Sequence, residues 1–129
     1  MSKQTKTIIF WSFIILMVVV GIGYLVYDDS RPGKLDAFAS CLKDKGAIFY
    51  GAFWCPHCQA QKKLFGNSDK LLPYVECSLP DGNGQNQTCN DKKIESYPTW
   101  EFADKSRETG ELTLSRLAEK TGCTLPAGY

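Results

Sequence analysis

The chain has 129 residues, none of them charged between positions 8 and 27, and it contains a single histidine, His57. Cysteine is also missing from the first forty positions, although six cysteines follow. After the first seven residues the chain holds thirteen basic and fourteen acidic residues. This near balance gives no reason to expect a nucleic acid or another strongly anionic partner. Of these absences, the lack of charge at positions 8–27 says most about the structure of the chain.

Residues 8–27 are dominated by Ile, Val, Leu, Phe and Trp. Twenty helical residues at about 1.5 Å each span about 30 Å, the thickness of the hydrocarbon core of a bilayer. A cleavable signal peptide is the alternative, because Lys3 and Lys6 provide its usual positive start. The stretch is longer than the apolar part of a signal peptide, and no small-x-small cleavage pattern follows it. We therefore expect a single-pass anchor in contact with membrane lipid.

The flanks and the cysteines predict the orientation of this helix. Lys3 and Lys6 precede the apolar stretch without any acid, and Asp28 and Asp29 follow it, a bias that favours a cytoplasmic N-terminus. All six cysteines come later, and an even, dense set of cysteines in a small domain is typical of an oxidising compartment. We expect the C-terminal domain outside the cytoplasm, in the periplasm or on the outer face of the cell membrane. The expected segments are a cytoplasmic N-terminus (1–7), a transmembrane helix (8–27), a linker (28–33), a folded domain (34–123) and a C-terminal tail (124–129).

The motif Cys55-Pro56-His57-Cys58 directly follows an apolar segment at 47–54. Two cysteines three residues apart, where a strand passes into a helix, indicate a dithiol–disulfide redox site. On a first helical turn both sulfurs lie on one face, and the free N–H groups and the helix dipole favour negative charge on the first one. Pro56 suits the first helical position, and His57 is placed to add positive charge. We predict that Cys55 is the exposed, attacking sulfur and that Cys58 is the buried, resolving sulfur.

The rest of the domain alternates helical and extended patterns. The order predicts an α/β domain, a sheet with helices on both faces. Five phenylalanines are expected in its core: Phe38, Phe49, Phe53, Phe65 and Phe102. The expected elements are a helix at 35–42 ended by Gly46, a strand at 47–53, a helix from the cysteine pair to Gly66, a strand at 74–78, a polar loop at 81–90, a hairpin at 99–109 and a helix at 112–121 capped by Thr113 or Ser115.

The segments Trp54-Cys55-Pro56-His57-Cys58 and Tyr97-Pro98-Thr99 together resemble the thioredoxin family. The resemblance implies a thioredoxin-like three-layer α/β fold, here preceded by one N-terminal transmembrane helix. In that family a proline about forty residues after the cysteine pair has a cis peptide bond and packs beside the sulfurs, which gives this role to Pro98. Trp54 and Tyr97 would then flank the site and offer an apolar platform to an unfolded substrate.

A closer similarity runs through residues 49–58, 64–66, 73–77 and 96–100, which resemble the thioredoxin-like domain fused to bacterial homologues of vitamin K epoxide reductase. There the domain passes electrons from folding proteins to a four-helix membrane partner that reduces a quinone. Here a single anchor helix stands in place of the four-helix part. The resemblance implies a protein disulfide oxidoreductase that oxidises cysteine pairs in exported proteins. Its expected oxidant is a vitamin K epoxide reductase-like or other quinone-linked membrane protein, with no cofactor besides the Cys55–Cys58 disulfide.

The chain departs from the thioredoxin pattern at one position near the site. Many thioredoxins have a buried acid six residues before the first catalytic cysteine, where this chain has Phe49. Glu76, on the neighbouring predicted strand, is a candidate proton relay for the inner sulfur. The alternative is that Glu76 faces solvent from a half-buried strand.

The other four cysteines are expected to have structural roles. The related domain has a bridge at the position of Cys77–Cys89, which here would close the polar loop. Cys41 and Cys123 lie on or after the first and last helices of the domain, so a second bridge fits if these helices share a face of the sheet. Free thiols and bonds to another chain are the alternatives. A zinc site is disfavoured, because Cys77 and Cys89 do not form a second close pair.

Two other functions stay open at the level of sequence. A reductase or isomerase of extracytoplasmic disulfides has the same site chemistry, because the partner decides the direction of electron flow. A non-catalytic metal-binding or interaction module belongs to another class. Thioredoxin-like copper chaperones use a longer cysteine spacing and a distant histidine, whereas His57 lies inside the cysteine pair.

Overall fold

The structure is a computed structural model that describes residues 2–129. The chain forms two compact units, one that ends at Arg31 and a second that comprises Pro32–Tyr129. The first unit is a single helix, and the second holds the sheet.

Helix α1 (Lys3–Asp29) makes up most of the first unit. Ser2 caps it, because the Ser2 Oγ accepts a hydrogen bond from the Thr5 N–H. The segment Gln4–Asp28 is long and apolar enough, by length and composition, to cross a membrane. This finding fits the predicted single-pass anchor. The helix also includes Asp28 and the residue after it, two positions of the expected linker.

The second unit is a four-stranded sheet with five short helical segments. Strand β1 pairs in parallel with β2 and antiparallel with β3, which pairs antiparallel with β4, so the strand order is β2-β1-β3-β4. This architecture confirms the predicted α/β class and is compatible with a thioredoxin-like fold. The elements are α2 (Asp36–Asp44), β1 (Ile48–Gly51), α3 (Pro56–Lys63), a 3₁₀ helix (Gly66–Leu71), β2 (Tyr74–Glu76), α4 (Gln87–Asp91), β3 (Thr99–Glu101), β4 (Arg107–Thr109) and α5 (Leu114–Thr121).

Alternate residues of β1 serve two cores on opposite faces of the sheet. Phe49 is fully buried and stacks on Trp100 of β3, with ring centroids 4.8 Å apart. The same core takes side chains from α2, α3 and α5, including Phe38, Cys58 and Leu117. On the other face, Tyr50 belongs to a smaller cluster with Cys77, Cys89 and Ile94.

Three expectations about local structure are corrected. The polar loop does not extend through position 90, because Asn86 Oδ1 accepts from the Cys89 N–H and caps α4. The helix that follows the cysteine pair does not reach Gly66: α3 ends at Lys63, and Gly66 (φ +53°) begins a 3₁₀ helix. Phe53 is not in the core: β1 ends at Gly51, and 50% of the Phe53 surface is exposed in the loop that follows.

Four cysteines close two disulfide bonds in the second unit. Cys41 of α2 is bonded to Cys123, which follows the glycine cap of α5. Cys77, just after β2, is bonded to Cys89 of α4. These are the two pairs that the sequence favours. The free cysteines of the described residues are Cys55 and Cys58.

Candidate active site

The two free thiols share the N-terminal turn of α3. Cys55 is the N-cap residue with an extended backbone, and its Sγ accepts a hydrogen bond from the Cys58 N–H at 3.4 Å. The Cys55 N–H in turn bonds the Ala52 carbonyl at 3.0 Å, which fixes the tight link between β1 and α3. Pro56 occupies the first helical position as predicted from its missing N–H. The backbone therefore holds both sulfurs at the end of the helix where N–H groups are unpaired.

Both sulfur-bearing residues are buried, which corrects the expectation of an exposed Cys55. Five per cent of the Cys55 surface and one per cent of the Cys58 surface are accessible. The Cys55 Sγ packs toward the backbone of the segment before β3, 3.8 Å from the Tyr97 carbonyl oxygen. Cys55 is still the outer sulfur of the two, but an incoming group has a narrow approach to it.

Burial gives the inner thiol, Cys58, a different pKa from that of an ordinary cysteine. It raises the pKa of Cys58 to about 12. A hydrogen bond with the Ala52 backbone and the charge of Lys62 lower this pKa in part, whereas the contact with Cys55 raises it. Cys58 therefore stays protonated near neutral pH in the dithiol form, which suits a resolving sulfur better than an attacking one.

His57 lies at the site but is already paired. Its Nδ1 is 2.7 Å from Oε1 of Glu111, in the segment between β4 and α5, and 71% of the imidazole is exposed. Glu111 was not found by sequence reasoning, because 54 positions separate the two residues and no local pattern connects them. The His57 imidazole at the helix terminus is thus paired with a carboxyl group from another part of the chain.

The remaining predicted site residues converge on the same end of the sheet. The Tyr97–Pro98 peptide bond is cis, and Pro98 is fully buried. Trp54 is half exposed, and its indole N–H donates to Ser78 Oγ at 2.9 Å. The Trp54 and Tyr97 rings meet edge to face with centroids 6.1 Å apart, while the Tyr97 hydroxyl bonds Gln85 Oε1. The two aromatic residues of the expected platform are therefore neighbours, and the loop before α4 holds both.

Glu76 is half-buried and fully engaged in hydrogen bonds. Its Oε1 accepts from the Ser78 N–H at 2.8 Å and from the Phe53 N–H at 3.2 Å, and its Oε2 accepts from the Tyr74 hydroxyl at 2.7 Å. Burial, with the hydrogen bond to Glu76, raises the pKa of Tyr74, so this phenol stays protonated. Glu76 thus stabilises the loop that leads into the cysteine motif. The Tyr74 ring lies between the Glu76 carboxyl group and Cys58 Sγ.

Two further side chains of α3 support the site. Gln61 is fully buried: its Nε2 donates to the Leu112 carbonyl, and its Oε1 accepts from the Leu112 N–H and from the Trp100 indole. Lys62 places its Nζ 3.4 Å from the centroid of the Tyr74 ring. Sequence reasoning assigned neither a role, although Lys62 follows Cys58 by four residues, a spacing that puts both on one helical face.

Comparison with known proteins gives one informative similarity. The chain is similar to the thiol-disulfide oxidoreductase LTO1 of Arabidopsis thaliana. The two are 47% identical over 94 residues, which are 69% of this chain and 24% of that relative. The chain therefore spans about a quarter of the length of the relative it matches. No protein-family model matches the chain.

Proposed function

We propose that this chain is a membrane-anchored thiol–disulfide oxidoreductase with Cys55 and Cys58 as its redox centre. The observation that carries the proposal is the division of the six cysteines. Four are closed in disulfides, and the two free ones share the first turn of α3, with the Cys55 sulfur near the Tyr97 carbonyl. The similarity to a relative whose name describes thiol–disulfide chemistry supports the same activity.

The proposed oxidative reaction starts from the Cys55–Cys58 disulfide. A substrate thiolate attacks Cys55 Sγ, the bond between the two enzyme sulfurs breaks, and its electron pair passes to Cys58 Sγ. Cys58 then takes up a proton, because burial raises its pKa to about 12. A second substrate thiolate attacks the substrate sulfur of the mixed disulfide and expels the Cys55 thiolate. The substrate leaves with a disulfide, and the enzyme has gained two electrons.

The half-exposed side chains around Cys55 fit a polypeptide substrate. Trp54 and Phe53, directly before the cysteine motif, each expose about half of their surface. An unfolded chain offers apolar side chains to such a surface, whereas a folded protein keeps them inside. We propose that Trp54 and Tyr97, with Pro98 beneath them, receive cysteine pairs of exported proteins that have not yet folded.

The anchor and the two structural disulfides support an extracytoplasmic location for the domain. Helix α1 has the length and apolar composition of a single membrane span, and stable disulfides are typical of oxidising compartments. We propose that α1 keeps the domain at the membrane surface with its N-terminus in the cytoplasm. A quinone-linked membrane protein, such as a vitamin K epoxide reductase-like partner, would then accept the two electrons from Cys55 and Cys58.

The activity is tested with the full-length chain in detergent micelles. Its oxidised form is mixed with a reduced peptide that carries two cysteines, and peptide disulfide is counted by mass spectrometry. We expect one peptide disulfide for each protein molecule, and none from a Cys55→Ser variant whose thermal unfolding matches the wild type. The proposal fails if the wild type oxidises no peptide or if the variant is equally active.

The direction of electron flow is tested separately in cells. The redox state of Cys55 and Cys58 is trapped by acid quenching and alkylation. A mostly oxidised pair supports the oxidase, because an oxidase waits for substrate as the disulfide. A mostly reduced pair would instead identify a reductase or isomerase with the same site.

A further inference from the structure

A cation lies on the same helical face as the buried thiol. Lys62 follows Cys58 by four residues on α3, a spacing that places both side chains on one side of the helix. The lysine is half-buried, unlike the next residue, Lys63, which is exposed. Its Nζ sits 3.4 Å from the centroid of the Tyr74 ring, a cation–π contact that holds the ammonium group in place.

The Tyr74 ring connects this cation to the inner sulfur. A Cβ atom added to Gly51 would lie 2.9 Å from Cys58 Sγ and 2.8 Å from Tyr74 Cε2. The sulfur and the edge of the ring therefore meet over the same glycine of β1. The other end of the ring is fixed, because the Tyr74 hydroxyl donates to Glu76 Oε2 at 2.7 Å. Lys62, Tyr74 and Cys58 thus form one packed row.

We propose that Lys62 is a positioning residue for the steps in which Cys58 leaves or attacks, held on the Tyr74 ring so that its charge stabilises the Cys58 thiolate as it forms. The inference rests on the proposed function and names the group that assists its inner sulfur. Negative charge develops on Cys58 Sγ in both directions of the reaction. A fixed cation near a buried sulfur acts more strongly than one in solvent.

The chemical step balances without any further reagent. When Cys58 resolves a mixed disulfide at Cys55, its thiol first releases a proton to solvent. The Cys58 sulfur then bonds to Cys55 Sγ, and the other sulfur of the mixed disulfide leaves with the electron pair. The removal of that proton is unfavourable because Cys58 is buried, and the charge of Lys62 acts against this cost.

Other ionisable groups face Cys58 from each neighbouring element. Cys55 caps the same helix, Tyr74 and Glu76 belong to β2, and Tyr97 precedes β3. Burial raises the pKa of both tyrosines, so neither adds charge near neutral pH. The Glu76 carboxyl group accepts hydrogen bonds from the Tyr74 hydroxyl and from two backbone N–H groups, and the Tyr74 ring lies between it and Cys58. His57, next to Cys58 on α3, is paired with Glu111, so Lys62 is the cation that we assign to the thiolate.

The test measures the reactions of Cys55 and Cys58 as two successive kinetic phases. Reduced full-length protein in detergent micelles is mixed with dithiobis(nitrobenzoate), and release of thionitrobenzoate is followed by its absorbance. Attack by Cys55 releases the first molecule and leaves a mixed disulfide. Attack by the Cys58 thiolate on that mixed disulfide releases the second. The two rates are recorded from about pH 6 to pH 10, across the range in which thiols ionise, for the wild type and for Lys62→Met, Lys62→Arg and Lys63→Met.

We expect Lys62→Met to slow the second phase about tenfold at neutral pH and to move its midpoint to higher pH, with the first phase unchanged. Lys62→Arg keeps the charge and should stay near the wild-type rate. Lys63→Met removes the same charge from an exposed neighbour and should change neither phase.

Three results would overturn the inference: an unchanged second phase in Lys62→Met, an equal slowing in Lys63→Met or Lys62→Arg, or a first phase slowed as much as the second. The last result would indicate a merely structural role. The proposed function itself would be contradicted by another outcome, seen in the wild type. In that case the wild type would show no second phase, because Cys58 would not resolve the Cys55 adduct.

Discussion

At the scale of single residues, the two free cysteines differ through their surroundings. Cys55 caps the helix and borders the Tyr97 carbonyl, whereas Cys58 is enclosed by β1, Tyr74 and the body of α3. The spacing in the sequence was enough to predict one shared helical face. It was not enough to predict that Cys55 is 95% covered, because the covering segment comes from the chain around Tyr97.

His57 provides the first prediction at this scale. We expect His57→Thr to lower the reduction potential of the Cys55–Cys58 pair by about 30 mV, a tenfold change in the equilibrium constant. The imidazole stands at the helix terminus where a cation favours the reduced, thiolate-containing form. The potential is measured by equilibration with glutathione buffers. The control is Lys63→Thr, which removes a charge at the far end of α3. If Lys63→Thr changed the reduction potential as much as His57→Thr, the effect would come from net charge alone.

The buried thiol of Cys58 predicts a dependence of stability on pH. Burial raises its pKa from 9.0 to about 12, so the unfolded chain loses this proton first as the pH rises. The contribution of Cys58 to the free energy of unfolding is therefore complete below about pH 9 and declines between about pH 9 and pH 12. Urea unfolding of the reduced protein should show a steeper alkaline decline than Cys58→Ala. Equal slopes would contradict the assignment, because the tyrosines with raised pKa values are common to both proteins.

At the scale of elements, α3 is joined to the segment before α5 by one buried amide. Gln61 makes two hydrogen bonds with the backbone of Leu112 and a third with the Trp100 indole. The helical periodicity predicted α3, but it did not show that a glutamine would point into the core. The partners are 39 and 51 residues away, and no local pattern marks them.

We expect Gln61→Leu to lower the free energy of unfolding by about 2–4 kcal/mol, since it leaves two backbone groups and one indole N–H buried without partners. Gln59→Leu is the matched control. Gln59 is exposed on the same helix and makes one hydrogen bond, to the Phe53 carbonyl, so its loss should cost about 1 kcal/mol or less. Both are measured by urea unfolding, and equal effects would show that the buried network does not stabilise the domain.

Element boundaries were predictable where local chemistry sets them. Thr113 caps α5 through the Arg116 N–H, and Gly122 ends it in the left-handed region, as the sequence pattern indicated. The 3₁₀ helix and α4 were missed because their sequences are polar and short. Tertiary contacts stabilise such segments: Ser68 of the 3₁₀ helix is buried and accepts from the Leu35 N–H, and Cys89 fixes α4 to Cys77.

At the scale of the whole molecule, the proposed activity belongs to one small α/β domain that follows one apolar helix. The apolar stretch and the order of the four strands and of α2, α3 and α5 were readable from the sequence pattern. The row of Lys62, Tyr74 and Cys58 and the pair of His57 and Glu111 were not, because each joins elements that the chain brings together only on folding. The proposed resolving chemistry therefore depends on the fold, while the cysteine motif is local.

The most direct test of the account is mixed-disulfide trapping in cells that produce the full chain. A Cys58→Ala variant lacks the resolving sulfur, so partners that react with Cys55 should accumulate as adducts that a reductant releases. The account predicts these adducts for Cys58→Ala and none for Cys55→Ala. Adducts formed by Cys55→Ala but not by Cys58→Ala, or by neither variant, would contradict the assignment of Cys55 as the attacking sulfur and Cys58 as the resolving one.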